Sequence, residues 1–176
     1  MRIPQITFNK LKDGAELPRI KTKGSVGADL VCPEDVSIPP FHMVEHGTLV
    51  PLGFSLDIPE GFCVYIYPRS STGLKTPLMI SNSVGVIDTD YKGELGLVLT
   101  NLSRNTIQVA KGTELAQMVV MPKTPFELIV PLYGEKKRSS KIYNPAAKAG
   151  KRSGGFGSTT TTTNKENKGE VKKDEN

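Results

Sequence analysis

The chain contains 176 residues, among them 23 Lys and Arg, 18 Asp and Glu, and no Trp. This length is natural for one domain with a hydrophobic core and is short for two. The sequence has neither an apolar N-terminal leader nor a long apolar run, so we expect no signal peptide and no membrane span. An intracellular protein, cytoplasmic or nuclear, is the default expectation.

The formal charge of +5 is unevenly distributed along the chain. Residues 1–134 carry 12 basic and 13 acidic side chains, whereas residues 135–176 carry 11 and 5. A basic tail can bind nucleic acid or another protein. Because acids are interspersed in its last stretch and its only aromatic residues are Tyr143 and Phe156, we favour a solvated tail over either kind of binding.

Cysteine and histidine give no signal for a disulfide framework or a zinc site. Cys32 and Cys63 are far apart in the sequence and form no close-spaced ligand pair. His42 and His46 have no cysteine beside them. We interpret both histidines as surface residues, and the cysteine content as that of a protein from a reducing compartment.

Short apolar or alternating runs recur about every ten residues and are separated by Gly, Pro and polar turns. Helical periodicity is nearly absent, and the best helical candidate is one turn near residues 71–74. The pattern predicts an all-β sandwich or barrel. The predicted strands cover residues 5–9, 28–32, 46–50, 54–58, 63–67, 78–82, 94–101, 106–109, 116–121 and 126–130.

Residues 85–94, with the sequence Gly-Val-Ile-Asp-Thr-Asp-Tyr-Lys-Gly-Glu, join two apolar runs and are the most informative stretch. We predict a β-hairpin here, with a tight turn at Thr89 and Asp90. The hairpin would place the carboxylate of Asp88 and the ring of Tyr91 at its mouth. A hairpin of this kind is ordinary structure by itself, so its meaning depends on the rest of the chain.

Beyond Tyr133 the apolar pattern ends. Residues 135–160 predict a linker and a flexible C-terminal arm with a Gly-Gly-Phe-Gly-Ser sequence, in which Phe156 fits a closing lid better than a core. Residues 161–176 are polar and of low complexity, which predicts disorder. The expected organisation is therefore a β-barrel catalytic domain over residues 1–134, followed by the arm and the tail.

Four further segments contain residues suited to the same chemistry as the predicted hairpin: Gly24–Leu30, Pro68–Gly73, Glu114–Met118 and Gly154–Thr159. Together with Gly85–Glu94, in this order and spacing, they resemble the five motifs of the trimeric dUTPase family, over about residues 20 to 160. The resemblance implies a jelly-roll-like fold and Mg²⁺-assisted hydrolysis of dUTP to dUMP and pyrophosphate. That reaction would limit uracil incorporation into DNA and supply dUMP for thymidylate synthesis. It also implies a homotrimer with shared active sites.

Phosphate recognition cannot come from a P-loop, because the sequence has no GxxxxGK[ST] pattern. Arg69, Ser70 and Ser71 offer a guanidinium, two hydroxyls and turn N–H groups, all of which suit phosphate oxygens. The resemblance implies that they contact the α- and β-phosphates and that Gln117 reaches the phosphate chain. Gly73 comes later than the glycine that often follows the first serine of this motif, which indicates a longer loop subtype.

Two carboxylates on the predicted hairpin, Asp88 and Asp90, could each orient and deprotonate the attacking water. The residues alone favour neither. The family pattern gives the catalytic role to the first, Asp88, and leaves Asp90 as a turn residue. The resemblance also implies that Asp29 holds Mg²⁺ through water, which suits an ion that keeps waters while it binds substrate phosphates.

Uracil recognition would fall to the predicted hairpin. The backbone around Val86 and Ile87 could pair with the uracil edges, and cytosine would leave these hydrogen bonds unmatched. Tyr91 would lie against the deoxyribose and exclude a 2′-hydroxyl. Asn82 could assist with the base, and Phe156 would stack on uracil when the arm closes.

The arm would complete the phosphate site. The resemblance assigns Gly157 and Ser158, followed by Thr159, to the substrate, with the two hydroxyls capping the terminal phosphate. The family usually has Arg three residues before the first glycine of the pair, where this chain has Lys151. Because Lys cannot present a bidentate fork, either Arg152 takes that role or γ-phosphate binding is weaker.

Two other functions remain as alternatives. A dCTP deaminase of the same superfamily would need an acidic residue in the pocket as general acid and base, for which Glu94 is available. A non-catalytic module that senses dUTP or binds a partner would keep the fold and lose Asp88, Tyr91 or Phe156. All three residues are present, which favours the hydrolase.

Overall fold

The computed structural model describes residues 3–126, together with the backbone of two short strands at residues 129–130 and 140–141. Strands dominate this part of the chain, which confirms the all-β prediction. In chain order the strands are β1 (Thr7–Lys10), β2 (Ala28–Val31), β3 (Val36–Ile38), β4 (Thr48–Pro51), β5 (Phe54–Asp57), β6 (Phe62–Pro68), β7 (Leu78–Ile80), β8 (Gly85–Ile87), β9 (Gly96–Asn101), β10 (Ile107–Val109), β11 (Glu114–Pro122), β12 (Ile129–Val130) and β13 (Ser140–Lys141).

Helical structure in the described residues is limited to two short pieces. A 3₁₀ turn covers Phe41–Met43, and helix α1 covers Ser70–Lys75, where one helical turn was predicted. Neither is long and apolar enough to cross a membrane. His42 in the 3₁₀ turn and His46 after it are exposed, as predicted for surface residues.

The strands form two larger antiparallel sheets and three pairs. The four-stranded sheet has the order β2-β11-β6-β8, and the three-stranded sheet has the order β4-β9-β7. The pairs are β1-β5, β3-β10 and β12-β13. Since neighbours in the sheets are mostly distant in sequence, the chain crosses repeatedly between them, which is typical of Greek-key and jelly-roll sandwiches.

One hydrophobic core joins the inner faces of the two larger sheets. Residues of β9 show the expected alternation, with Leu97 and Leu99 buried and the intervening Val98 only partly buried. The core is built from Leu, Ile and Val, with Phe54 as its largest fully buried side chain. Phe8 packs on Phe54 with the ring centroids 4.6 Å apart. Cys32 and Cys63 are both buried free thiols.

The hairpin predicted for residues 85–94 is wrong in its pairing. β8 pairs with β6, whereas β9 pairs with β4 and β7, so the two arms belong to different sheets. The tight turn itself is present, since the Tyr91 N–H donates to the Asp88 carbonyl at 3.2 Å. The chain changes sheets because Leu95 is buried in the core and its N–H donates to the Phe54 carbonyl at 2.8 Å.

Two further differences concern short elements. Strand β3 was not predicted, because three residues between prolines carry too weak an alternation to identify a strand. The last predicted strand, 126–130, begins only at Ile129, and Phe126 is an exposed side chain before it.

Candidate active site

Strand β11 brings together residues from three of the sequence motifs. It pairs on one side with β2, where Gln117 lies opposite Asp29, and on the other with β6, where Ala116 lies opposite Pro68. Arg69 follows directly after β6. The antiparallel register alone therefore places Asp29, Gln117 and Arg69 at one end of the four-stranded sheet.

These side chains border a cleft of about 280 Å³. Charged and polar residues dominate its wall, so the cleft suits a charged ligand better than an apolar one. The lining residues are Lys21, Ser25, Val26, Gly27, Asp29, Arg69, Ser70 and Gln117.

The guanidinium of Arg69 is held in a fixed orientation by two acidic residues. Its Nε donates to Asp29 Oδ1 at 2.9 Å, and its Nη1 donates to the Glu114 carbonyl at 3.2 Å. Its Nη2 lies 3.1 Å from Glu114 Oε2. A guanidinium has five N–H groups, so these contacts fix its plane and leave N–H groups for a ligand.

Asp29 is buried, and only one of its two carboxylate oxygens has a hydrogen-bond partner among the described residues. Its side chain accepts the Arg69 bond on Oδ1, while Oδ2 is buried with no hydrogen-bond partner among the described residues. A buried carboxylate oxygen without a donor is costly, and native structures rarely leave one so. The position of Oδ2 therefore suits a donor supplied by a ligand or by an ion-bound water in the cleft.

A metal held directly by the protein does not fit the described part of the chain. Residues 3–126 contain no group of three or more His, Cys, Asp or Glu side chains that could hold a metal ion. A single carboxylate that lines a polar cleft instead fits a hydrated ion whose other ligands come from a phosphate chain, which is how Mg²⁺ is commonly bound.

The loop before β2 is shaped around Gln117. Gln117 Nε2 donates to the Pro68 carbonyl at 3.2 Å, which fixes the amide across the mouth of the cleft. A Cβ atom at Gly27 would overlap Gln117 Oε1. Glycine at this position thus permits the close approach of backbone and amide on which the cleft depends.

Helix α1 is anchored beneath the cleft by a buried hydroxyl. Thr72 Oγ1 donates to the Leu115 carbonyl at 2.8 Å, and the threonine is almost fully buried. This bond ties the first turn of α1 to β11. Ser70 at the helix start is exposed and lines the cleft, whereas Ser71 is half-buried and is not one of the lining residues.

The other predicted site residues of the described chain lie in β8, just before it and in the turn after it. Tyr91 donates from its hydroxyl to the Glu94 carbonyl at 2.8 Å, and Thr89 Oγ1 donates to the Phe62 carbonyl at 2.9 Å. Burial, with a smaller contribution from Glu94, raises the pKa of the Tyr91 hydroxyl. Asp88 is exposed, as are Asn82 and Val86, while Ile87 is half-buried.

The turn and the cleft lie at opposite ends of β6. Ile87 pairs with Val64 and Thr89 bonds to Phe62, at the beginning of the strand. Arg69 follows the end of that strand. Six residues of extended chain span about 20 Å, so Asp88 cannot act on a phosphorus atom bound beside Arg69 of the same chain.

Several relevant residues were missed by sequence reasoning. Lys21 and Gly27 line the cleft without having been assigned a role, and Glu114 and Thr72 hold its walls. Glu114 lies within one of the five motifs, but no local pattern indicates that its carboxylate contacts Arg69. The predicted arm residues Arg152, Phe156, Gly157 and Ser158, and Lys151 with them, lie outside the described residues.

Comparison with known proteins identifies relatives along most of the chain. The family model described as dUTPase matches residues 13–160. A deoxyuridine 5′-triphosphate nucleotidohydrolase from Hydrogenobaculum sp. is 38% identical over 156 residues, which are 88% of this chain and 97% of the relative. The enzyme of the same name from Rhizobium johnstonii is 35% identical over 147 residues, covering 84% and 86%.

Solved structures share the fold. The dUTPase of Staphylococcus bacteriophage 80alpha, solved with dUpNHpp, has a TM-score of 0.63 at 22% identity and covers 76% of this chain and 99% of its own. A dUTPase from phage phi11 of S. aureus, described with a coordinated structural Mg(II) ion, has a TM-score of 0.63 at 24% identity and covers 73% and 98%. At this identity the likeness concerns the jelly-roll-like fold alone.

Proposed function

Because this chain belongs to the dUTPase family, we propose that it hydrolyses dUTP to dUMP and pyrophosphate by attack of water on the α-phosphorus. The observation that carries the proposal is the polar cleft in which Asp29, Arg69 and Gln117 converge. Its size and charge suit a phosphate chain. This reaction would limit uracil incorporation into DNA and supply dUMP for thymidylate synthesis.

The phosphates would bind to the end of the four-stranded sheet. Arg69 has its orientation set by Asp29 and Glu114 and keeps N–H groups free for phosphate oxygens. Ser70 and the N–H groups at the start of α1 would add donors, with Ser71 as a further contact. Gln117 would reach the phosphate chain from the opposite wall.

Mg²⁺ is proposed as the cofactor, held by Asp29 through water. When bound to the triphosphate, the ion would neutralise part of its charge and favour attack at phosphorus. Asp29 supports this assignment because it lines the cleft and its Oδ2 is buried with no donor among the described residues. The hydrogen bond from Arg69 Nε would hold this carboxylate in its orientation.

The nucleoside end of the substrate would lie at the turn that follows β8. Asp88 would orient and deprotonate the attacking water, and Asp90 would serve the turn. The backbone at Val86 and Ile87 would pair with uracil, with help from Asn82. Tyr91 would lie against the deoxyribose and leave no room for a 2′-hydroxyl.

The active site is proposed to be shared between chains. Since the cleft and Asp88 of one chain are about 20 Å apart along β6, a complete site would combine the cleft of one chain with the turn of another. A homotrimer with three equivalent sites satisfies this requirement with closed symmetry. The arm of residues 135–160, with Arg152, Phe156, Gly157 and Ser158, would close over the substrate as a lid.

The division into a catalytic domain over residues 1–134, the arm and a polar tail over residues 161–176 is part of the same proposal. A cytoplasmic or nuclear location would follow from the substrate. We assign neither nucleic acid nor a second protein to the basic tail.

The function is tested by pyrophosphate release with Mg²⁺ from dUTP, dTTP, dCTP and UTP. Release from dUTP alone is expected. Ammonia from dCTP would indicate the deaminase, in which Glu94 would be the acid and base. Binding of dUTP without turnover would indicate a sensing module.

The shared site is tested by mixing two inactive variants, Arg69→Ala and Asp88→Asn, after partial unfolding and refolding together. If each site takes its cleft and its turn from different chains, about a quarter of the sites in an equal mixture regain both groups. We therefore expect the mixture to recover up to about a quarter of the wild-type activity. A mixture as inactive as its components would assign each site to one chain.

A further inference from the structure

Among the cations that border the cleft, Lys21 has no role in the function proposed above. We infer that Lys21 is a further phosphate-binding residue and that the Glu114 carboxylate is its positioning group. The inference rests on the proposed function, because it concerns the same cleft and the same class of ligand. It concerns two residues that meet only in the folded chain, since they are separated by more than half its length.

The geometry joins the two residues directly. Lys21 lines the cleft together with Arg69 and Ser70, and its Nζ lies against Glu114 Oε1. The other oxygen, Oε2, lies 3.1 Å from Arg69 Nη2. One carboxylate therefore determines where two cations stand at the same wall of the cleft.

The side chains of Glu114 and Lys21 differ in how firmly the structure holds them. The Glu114 side chain is 14% exposed and that of Lys21 is 49% exposed. Glu114 is fixed by β11 and by Arg69, whereas the lysine has a flexible four-carbon stem and reaches in from a loop. A phosphate in the cleft can thus draw the ammonium toward itself without moving Glu114.

The balance of charges around Glu114 favours a movement of the Lys21 ammonium from this carboxylate toward a bound phosphate. Arg19, Lys21 and Arg69 all approach the Glu114 carboxylate. Arg19 also contacts Glu16, and Arg69 also contacts Asp29. Lys21 therefore shares one negative charge with two other cations, and a triphosphate, which carries several, competes strongly for it.

Lys23 offers a matched control two residues away. It is exposed, belongs to the same loop and does not line the cleft. Replacing either lysine by methionine removes one positive charge and keeps most of the side-chain length. A difference between the two variants therefore reports position and not net charge.

The test is the dissociation constant of the full chain for dUpNHpp and for deoxyuridine, with Mg²⁺, in wild type, Lys21→Met, Lys21→Arg and Lys23→Met. We expect Lys21→Met to weaken dUpNHpp binding about tenfold, as for a lost charge-assisted contact. Deoxyuridine binding should stay within about twofold, because it has no phosphate. Lys21→Arg and Lys23→Met should stay within about threefold of wild type for both ligands.

Equal effects of Lys21→Met and Lys23→Met on dUpNHpp would overturn the inference, as would an equal loss for dUpNHpp and deoxyuridine. The role of Glu114 is read from Glu114→Gln alone and combined with Lys21→Met. Coupling between them of at least about threefold is expected, and additive effects would remove Glu114 as the positioning group. If wild type binds dUpNHpp but releases no pyrophosphate from dUTP, the proposed function fails while these comparisons still decide the role of Lys21.

Discussion

The cleft and the turn at Asp88 lie at opposite ends of the same strand and are built differently. In the cleft, Asp29 and Gln117 stand on paired strands and Arg69 is held by two acidic residues. At the turn, Asp88 is exposed, and side-chain hydrogen bonds of the flanking Thr89 and Tyr91 hold the backbone. The cleft is thus lined by ion-paired side chains on paired strands, whereas the turn presents its carboxylate at the surface.

This difference supports the proposal that a complete site combines residues of more than one chain. Groups that must act on one phosphorus atom have to meet within hydrogen-bond reach or through a single water. The cleft meets this requirement for a phosphate chain, and the turn of the same chain does not. The comparison therefore predicts that variants in the two regions fail in separable ways.

The largest effect is expected at the turn. Asp88→Asn removes the group that we propose as the general base, and such a group typically contributes a factor of about 10²–10⁴ in rate. We expect kcat for dUTP to fall by that factor while dUpNHpp affinity changes little, because the cleft is intact. Asp90→Asn is the matched variant at a central residue of the same turn, and its kcat should remain within about tenfold of wild type.

Loss of activity in Asp90→Asn with retention in Asp88→Asn would exchange the two assignments. Loss of dUpNHpp binding in Asp88→Asn would contradict the separate roles of the two regions, because the turn would then contribute to the affinity that we assign to the cleft. Single-turnover rates and calorimetric titration of the same preparations separate these outcomes.

Stability should depend more on the framework of the cleft than on that of the turn. Thr72 and Thr89 each donate one hydroxyl hydrogen bond to a carbonyl, at 2.8 Å and 2.9 Å, but Thr72 is buried and Thr89 is partly exposed. Thr72→Val leaves the Leu115 carbonyl without its donor, which costs about 1–3 kcal/mol. Thr89→Val should cost less, because water can reach the Phe62 carbonyl.

Urea unfolding of both valine variants, with Thr72→Ser as the variant that keeps the hydroxyl, measures this difference. An equal loss of unfolding free energy in Thr72→Val and Thr89→Val would mean that the two regions are equally well packed.

A smaller effect is expected from closing the space around Gln117. A Cβ at Gly27 overlaps Gln117 Oε1, whereas a Cβ at Gly24 meets nothing within 4 Å. Gly27→Ala should therefore displace the amide and raise KM for dUTP about tenfold, with a smaller change in kcat. Gly24→Ala should leave KM within about twofold. Equal KM values for the two alanine variants would show that Gln117 does not need its present position.

The sequence indicated the strands and the segments of the cleft, because alternation and turn residues are local signals. It also indicated Asp29, Arg69 and Gln117 as a group through the family resemblance. It did not indicate that β8 and β9 separate into different sheets, since a tight turn between apolar runs has the same local pattern in either case. Pairing is decided by burial of Leu95 in a core assembled from distant strands.

Charge contacts between residues distant in the sequence could not be predicted either, because they depend on how distant strands pair. Lys21 and Glu114 are distant in sequence and meet because β2 and β11 pair. A lysine in a loop and a glutamate at the start of a strand have no separate signature for such a meeting. The distance between Asp88 and the cleft was likewise invisible, because it depends on the register of β8 against β6.

The smallest predicted effect concerns how the stability of the fold depends on pH in the acid range. Bonding and charge from Lys21, with further contributions from Arg69 and Arg19, lower the pKa of Glu114 below its ordinary value of 4.5. A carboxyl with a lowered folded-state pKa contributes stability that is complete above its unfolded pKa and is lost as pH falls through the folded one. Wild type should therefore exceed Glu114→Gln in melting temperature by a constant margin above about pH 5, and the margin should shrink below pH 4.5. A margin that is unchanged down to pH 3 would mean that packing of the side chain, and not its charge, is what Glu114 contributes to this wall of the cleft.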